Sequence, residues 1–154
     1  MRSLSFWLAL AGVAVLDQFT KHVVATTFAP GESRIVIPHV LWFTYVQNHA
    51  GAFGMFGSNA ALLIVLAVAV LGLFWFSFRN SAAQSRTVRI AFGAIAGGAI
   101  GNIADRLHYG YVVDFIDLRW WPVFNVADSC ITIGVALLIV TTLSGQRTLV
   151  RAEP

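Results

Sequence analysis

Charge is what this sequence has least of. Only 11% of its 154 residues are charged, against about 25% in an average soluble domain, while 58% are hydrophobic. That balance excludes an ordinary water-soluble fold and points to a bilayer as the solvent. The net charge of +3 comes from dispersed basic residues. No basic patch is interleaved with exposed aromatics, so nucleic acid is not expected as a partner. Cysteine is almost absent. Cys130 is the only one, which rules out an internal disulfide and a multi-cysteine metal site and leaves a packing role. No His-Glu-x-x-His occurs, and His22, His39, His49 and His108 share no ligand spacing. No metal site is therefore expected, and the histidines are assigned to the interface. There is no Gly-x-Ser-x-Gly elbow, and Ser129 has no base beside it other than Asp128. The length allows one domain, residues 1–154.

The long apolar runs read in order as four spans. Arg2 and the run from Leu4 to Leu16 look like the start of a signal peptide, but no small-x-small cleavage site follows. Reaching the roughly 20 residues a span needs takes the run through Asp17, Gln18 and Lys21. The first span is therefore expected over about 4–26, with a polar inward face. Asp17 and Lys21 are four apart and can pair. Residues 30–58 do not span. Pro30, Gly31 and Pro38 flank RIVIPHVLWFTYV, which is rich in β-branched and aromatic residues and predicts short strands. Trp42, Phe43 and Tyr45 in it suit a membrane–water interface. A second span is expected over 60–78 and a third over 90–107. The third carries Gly93, Gly97 and Gly101 at four-residue spacing, beside Ala94 and Gly98, as in helices that pack closely in lipid. A fourth is expected over 125–143. With four spans, Arg2, Arg79, Arg86, Arg89, Arg147 and Arg151 fall on one side, with Arg79, Arg86 and Arg89 in a short loop. The excess of positive charge then puts both termini in the cytoplasm. The expected fold is an all-α membrane protein of four transmembrane helices, with a small extracytoplasmic β-rich segment between the first two.

That layout gathers the unusual polar residues at the outer ends of the spans. Asp17 and Lys21 lie in the outer half of the first. Asn102, Asp105 and Arg106 close the third on one face. Asn125 and Asp128 open the fourth, three residues apart, and Asp114 precedes it in the apolar stretch VVDFI. Ionisable groups in a membrane usually face the bundle interior and mark function. Two aspartates sharing one proton could run hydrolysis without a cofactor: the ionised one takes a proton from water and the protonated one polarises a carbonyl. The other reading makes Asp114 and Asp128 helix caps, or partners of Arg119 and Arg106. Likewise the Asp17–Lys21 pair is either a structural brace or part of the site. Two rival functions stand beside a protease, a small four-span proton-coupled transporter and a non-catalytic membrane assembly protein. A transporter does not account for an extramembrane strand segment, or for two acids at one end instead of the midplane.

Five motifs, in order, resemble the bacterial lipoprotein signal peptidase family, signal peptidase II: Asp17–Lys21 (DQFTK), Asn48–Phe53 (NHAGAF), Gly97–Arg106 (GGAIGNIADR), Gly110–Asp117 (GYVVDFID) and Pro122–Gly134 (PVFNVADSCITIG). Each alone is weak; the ordered set is specific. The family usually has Asn-x-Gly-Ala-Ala-Phe where this chain has Asn48-His49-Ala50-Gly51-Ala52-Phe53, with Gly and Ala interchanged, which leaves substrate contacts there open. The resemblance implies an aspartic endopeptidase of the bacterial cytoplasmic (inner) membrane, without cofactor, with its site near the outer face. It implies substrates that are prolipoproteins carrying a diacylglyceryl cysteine, cut just before that cysteine. It implies Asp114 and Asp128 as the catalytic pair. Asp17, Lys21, Asn48, Gly51, Asn102, Arg106 and Asn125 would support the pair and the substrate, Asp105 would brace the fold, and Asp117 would be exposed or structural. Membrane lipids and inhibition by globomycin-type cyclic peptides are implied as well, and nothing in the chain asks for more than a monomer.

Overall fold

The computed structural model describes residues 4–50, 59–78 and 86–150. The element order is α1 (Leu4–Thr27), β1 (Ser33–Ile37), β2 (Leu41–Asn48), α2 (Ala60–Phe78), α3 (Arg86–Tyr109), β3 (Val112–Asp117) and α4 (Val126–Val150). By length and composition α1, α3 and the Val126–Ser144 part of α4 can each cross a bilayer, and α2 adds a shorter apolar stretch, Ala61–Leu73. α1 is built inside out relative to a soluble helix. Its buried residues are Asp17, Lys21 and Val24, while Leu8, Val15, Leu16 and Phe19 are exposed. Only an apolar solvent makes that arrangement favourable.

α3 is the central helix, packed on α1 and α4, and α2 makes its main contact with α3. The glycines explain how α3 serves two neighbours. A side chain on Gly93 or Gly97 would overlap the α1 backbone at Phe6 or Leu10, and one on Gly98 would meet the α4 backbone at Ala127. Close approach of backbones replaces the hydrophobic effect as the packing force in lipid. α3 begins at Arg86, earlier than the sequence suggests, so Arg86 and Arg89 belong to its first turn and not to a loop; Arg79 lies outside the described residues. It ends at Gly110 (φ 78°), whose N–H donates to the Arg106 carbonyl at 3.1 Å. That left-handed residue is the common helix stop. α4 runs on to Val150, beyond the end expected from hydropathy.

The sheet is antiparallel, in the order β1-β2-β3. The hairpin of β1 and β2 sits where the sequence puts strands. A third strand lies outside the 30–58 segment to which the sequence assigns strands: Val112–Asp117, around Asp114, pairs with β2. Its alternation assigns its faces. Val113 and Phe115 join Val24 and Tyr45 in an apolar cluster, which turns Val112 and Asp114 to the other face. A register shift between Phe43 and Val46 puts Val46 opposite Asp114, as bulges beside functional sites often do. The interfacial assignment of Tyr45 is also corrected: it is buried, while Ile35, Val36, Ile37 and Val40 are the exposed apolar residues of the hairpin.

Candidate active site

Asp114 and Asp128 come together because strand and helix are latched just before α4 starts. The Phe124 carbonyl accepts from Phe115 and Ile116, at 3.0 and 2.7 Å, and the Phe124 N–H donates to Ile116 at 3.1 Å. The next residue, Asn125, caps α4. Its Oδ1 accepts the Asp128 N–H at 2.9 Å, and Asp128 Oδ2 accepts the Asn125 N–H at 3.3 Å. This is a reciprocal capping box. Asn125 Nδ2 then donates to Asp114 Oδ1 at 2.7 Å. One asparagine thus touches both carboxylates.

The amides around the pair all point the same way. Asn48 Oδ1 accepts the Ala50 N–H, so its Nδ2 is left to donate to Asp114 Oδ2 at 2.8 Å. Asn102 Oδ1 accepts from Lys21 Nζ at 2.8 Å, and its Nδ2 donates to Asp128 Oδ1 at 2.8 Å. Each oxygen of each carboxylate therefore accepts a hydrogen bond. Such donors favour ionisation, yet burial acts first and against them. Desolvation, then the nearby Asp128 carboxylate, pushes the Asp114 carboxyl up to about 7 despite donation from Asn48 and Asn125. A pair in which one group stays protonated near neutrality is suited to acid and base work together.

Both carboxylates line a cavity of about 750 Å³, with Asn48, Asn102 and Arg106 among its polar residues and Val46, Val112, Trp121 and Ile131 among its apolar ones. Arg106 donates from Nη1 to the Asn102 carbonyl at 3.3 Å. Its buried Nε has no hydrogen-bond partner among the described residues. Behind this wall lies a second layer. Lys21 Nζ contacts Asp17 Oδ2 at 2.8 Å and Asp105 Oδ2 at 2.9 Å, and Gln18 Nε2 donates to Asp105 Oδ1 at 2.8 Å. Asp17 Oδ1 accepts the Ala127 N–H of α4 at 2.9 Å, and Asp105 Oδ2 accepts the Val113 N–H of β3 at 3.1 Å.

Of the residues singled out in the sequence, Asn48, Asn102, Arg106, Asp114, Asn125 and Asp128 converge at the cavity or on its carboxylates. Asp17, Lys21 and Asp105 stand directly behind. Gly51 lies outside the described residues. Arg119 is not a partner of Asp114; it lies 3.6 Å from Asp117. Asp117 is buried, not exposed, and accepts from Thr44 Oγ1 at 2.7 Å and the Arg119 N–H at 2.8 Å. Sequence reasoning missed Gln18, which the motif DQFTK contains. It also missed Ile131 and Thr132 on the cavity wall, although their places three and four residues after Asp128 mark them as sharing its helix face. Among the described residues, no three His, Cys, Asp or Glu side chains cluster so as to hold a metal ion.

The family model for Signal peptidase (SPase) II matches residues 9–144. The chain is 44% identical over 144 residues to a lipoprotein signal peptidase of Syntrophomonas wolfei, covering 92% of this chain and 95% of that one. It is 37% identical over 135 residues to a lipoprotein signal peptidase of Staphylococcus aureus, covering 85% and 83%. A bacterial membrane enzyme solved by the in meso method at 2.3 Å resolution superposes with a TM-score of 0.82 at 35% identity, over 90% of this chain and 87% of that one. A second such structure, at 1.9 Å, gives 0.79 at 36% identity, over 88% and 90%.

Proposed function

The chain belongs to the signal peptidase II family, peptidases that remove signal peptides from lipoproteins, and from that premise we propose that Asp114 and Asp128 are its catalytic pair. The observation that carries this reading is the pair of buried carboxylates on one cavity wall, each held on both oxygens by donors, with Asn125 shared between them. In the reaction the ionised carboxylate takes a proton from water as its oxygen attacks the scissile carbonyl carbon. The protonated one donates to the carbonyl oxygen. The tetrahedral adduct then collapses as a proton passes to the leaving amide nitrogen. Arg106, with a buried Nε free of partners among the described residues, would take a carbonyl of the bound peptide. Asn48 and Asn102 would keep the carboxylates aimed into the cavity.

The substrate is a prolipoprotein with a diacylglyceryl cysteine, cut just before that cysteine. The single domain crosses the bacterial inner membrane four times, with α2 as the second span and both termini in the cytoplasm. The carboxylates then lie near the outer face, where an acyl-anchored cysteine in the outer leaflet and water can both reach them. The apolar outer residues of the hairpin, Ile35, Val36, Ile37 and Val40, together with exposed Trp120, which follows Arg119, rest on that membrane surface and roof the substrate. Arg119 links the two by donating from Nη2 to Ser33 at 2.9 Å and stacking on Trp42. The enzyme acts as a monomer, and globomycin-type cyclic peptides occupy the same cavity.

Purified protein incubated in detergent with a diacylglyceryl prolipoprotein, and with the same precursor lacking lipid, tests the assignment by mass spectrometry. Cleavage only of the lipidated precursor, immediately before its cysteine, is expected. No cleavage of either, or a cut elsewhere, contradicts it.

A further inference from the structure

The reaction as described leaves Lys21 with no step. Its side chain is buried with 3% exposure and is not among the residues lining the cavity. A buried ammonium is costly unless each of its donors is met. Here three N–H groups meet three acceptors, Asp17 Oδ2, Asp105 Oδ2 and Asn102 Oδ1, all within 2.9 Å. Each acceptor leads to the catalytic pair by one further hydrogen bond. Asp17 takes the N–H of Ala127, the residue before Asp128. Asp105 takes the N–H of Val113, the residue before Asp114. Asn102 donates to the Asp128 carboxylate itself. We propose that Lys21 is the positioning residue of the pair, one ammonium that sets the strand under Asp114, the helix turn under Asp128 and the amide that aims Asp128.

The third link is the specific one. An ammonium only donates, so Asn102 must turn its oxygen to Lys21 and thereby its NH2 to Asp128. Without that charge the Asn102 oxygen keeps only the longer donation from Asn125 Nδ2, at 3.2 Å, and the amide is held less firmly against turning its oxygen to a carboxylate. Gly101 holds the arrangement tight, because a methyl there would overlap the Asp17 carboxylate. A plain brace between α1 and α3 would explain the two ion pairs. It would not require the amide of Asn102 to be oriented. This inference rests on the assignment of Asp114 and Asp128.

The test is the variant Lys21→Met/Asp105→Asn, which keeps the local net charge, with wild type as its charge-matched reference and Asp105→Asn as the control for the lost carboxylate. The charged groups around the pair are Asp17 and Lys21 on α1 and Asp105 and Arg106 on α3. Relative to the reference, kcat is expected to fall about tenfold, the worth of a hydrogen bond to a charged group, with KM within about twofold. The acid limb of the kcat profile should move to higher pH, since a carboxylate stripped of its donor holds a proton more tightly. A folded double variant with the kcat and pH profile of the reference overturns the proposal. Should that variant not fold, Asn102→Asp decides: it keeps an acceptor for Lys21 but turns an oxygen to Asp128, and wild-type kcat there overturns the proposal too. Asp114→Asn and Asp128→Asn are assayed alongside. If they cleave, the catalytic assignment has failed; if they are inactive while the Lys21 variant is unaffected, only the positioning role has.

Discussion

Replacing Gly98 by alanine tests how closely the turn that carries Asp128 depends on helix packing. A β-carbon at Gly98 would lie 2.7 Å from the Ala127 carbonyl oxygen and 2.9 Å from Ile131 Cγ1. Ordinary contacts are longer, so α4 must retreat by roughly 0.5 Å or more, and overpacking of this kind costs about 1–3 kcal/mol. The roughly 1 kcal/mol that alanine gains over glycine in a helix offsets part of it. The retreat acts at Ala127, which is held by Asp17 and precedes Asp128. A displacement of about 1 Å near a reacting group can cost 10²-fold in rate, so half of that is expected to cost about tenfold in kcat. Thermal melting in detergent and prolipoprotein cleavage measure the two effects. Gly93→Ala, which presses on the α1 backbone at Phe6, should lower stability comparably and leave the kcat of the folded enzyme near wild type. Gly12→Ala, with open space around it, should do neither. A Gly98→Ala protein that melts and cleaves like wild type refutes the close α3–α4 contact. Equal rate loss in Gly93→Ala refutes its local effect on Asp128.

Three further outcomes follow from the same geometry. Asp114 titrates near 7 in the fold but near 4 when unfolded; the folded state binds the proton more tightly, so the stability this gives is full below about pH 4 and is lost as pH rises to about 7. Melting temperatures at pH 5 and pH 8 should show Asp114→Asn gaining on wild type at the higher pH, and a variant-minus-wild-type difference that stays constant or falls contradicts the shift. Asp117→Ala should lose about 1–3 kcal/mol of stability through its Thr44 and Arg119 bonds with kcat unchanged, whereas a selective loss of kcat would make it part of the site. Val36→Asp on the exposed hairpin should raise KM several-fold in lipid vesicles and leave the melting temperature unchanged; unaltered turnover in vesicles removes the membrane-resting role.

The helices were readable because lipid makes simple demands: long apolar runs, with polar residues kept for the inside. The i, i+4 spacing of Asp17 and Lys21 and the four-residue glycine rhythm of α3 carried directly into packing. Asn125 and Asp128, three apart, could be read as a cap or as part of a site, and the cap is formed. β3 was hidden because VVDFID is short and its strand partner, Leu41–Asn48, lies far earlier in the chain, a pairing no local pattern encodes. The burial of Tyr45 was hidden for the same reason, since its neighbours Val113 and Phe115 come from that strand. Of the three contacts of Lys21, only that to Asp17 was legible in local spacing, because Asn102 and Asp105 lie on another helix.

Single-turnover cleavage of a diacylglyceryl prolipoprotein by wild type, Asp114→Asn and Asp128→Asn bears most directly on the catalytic pair. Each substitution keeps the side chain's shape and removes the capacity to hold or take the shuttled proton. The account predicts a cut before the lipidated cysteine by wild type and a loss of at least about 10³-fold in rate in both variants, in proteins that still fold. Cleavage by either variant at the wild-type rate would contradict it.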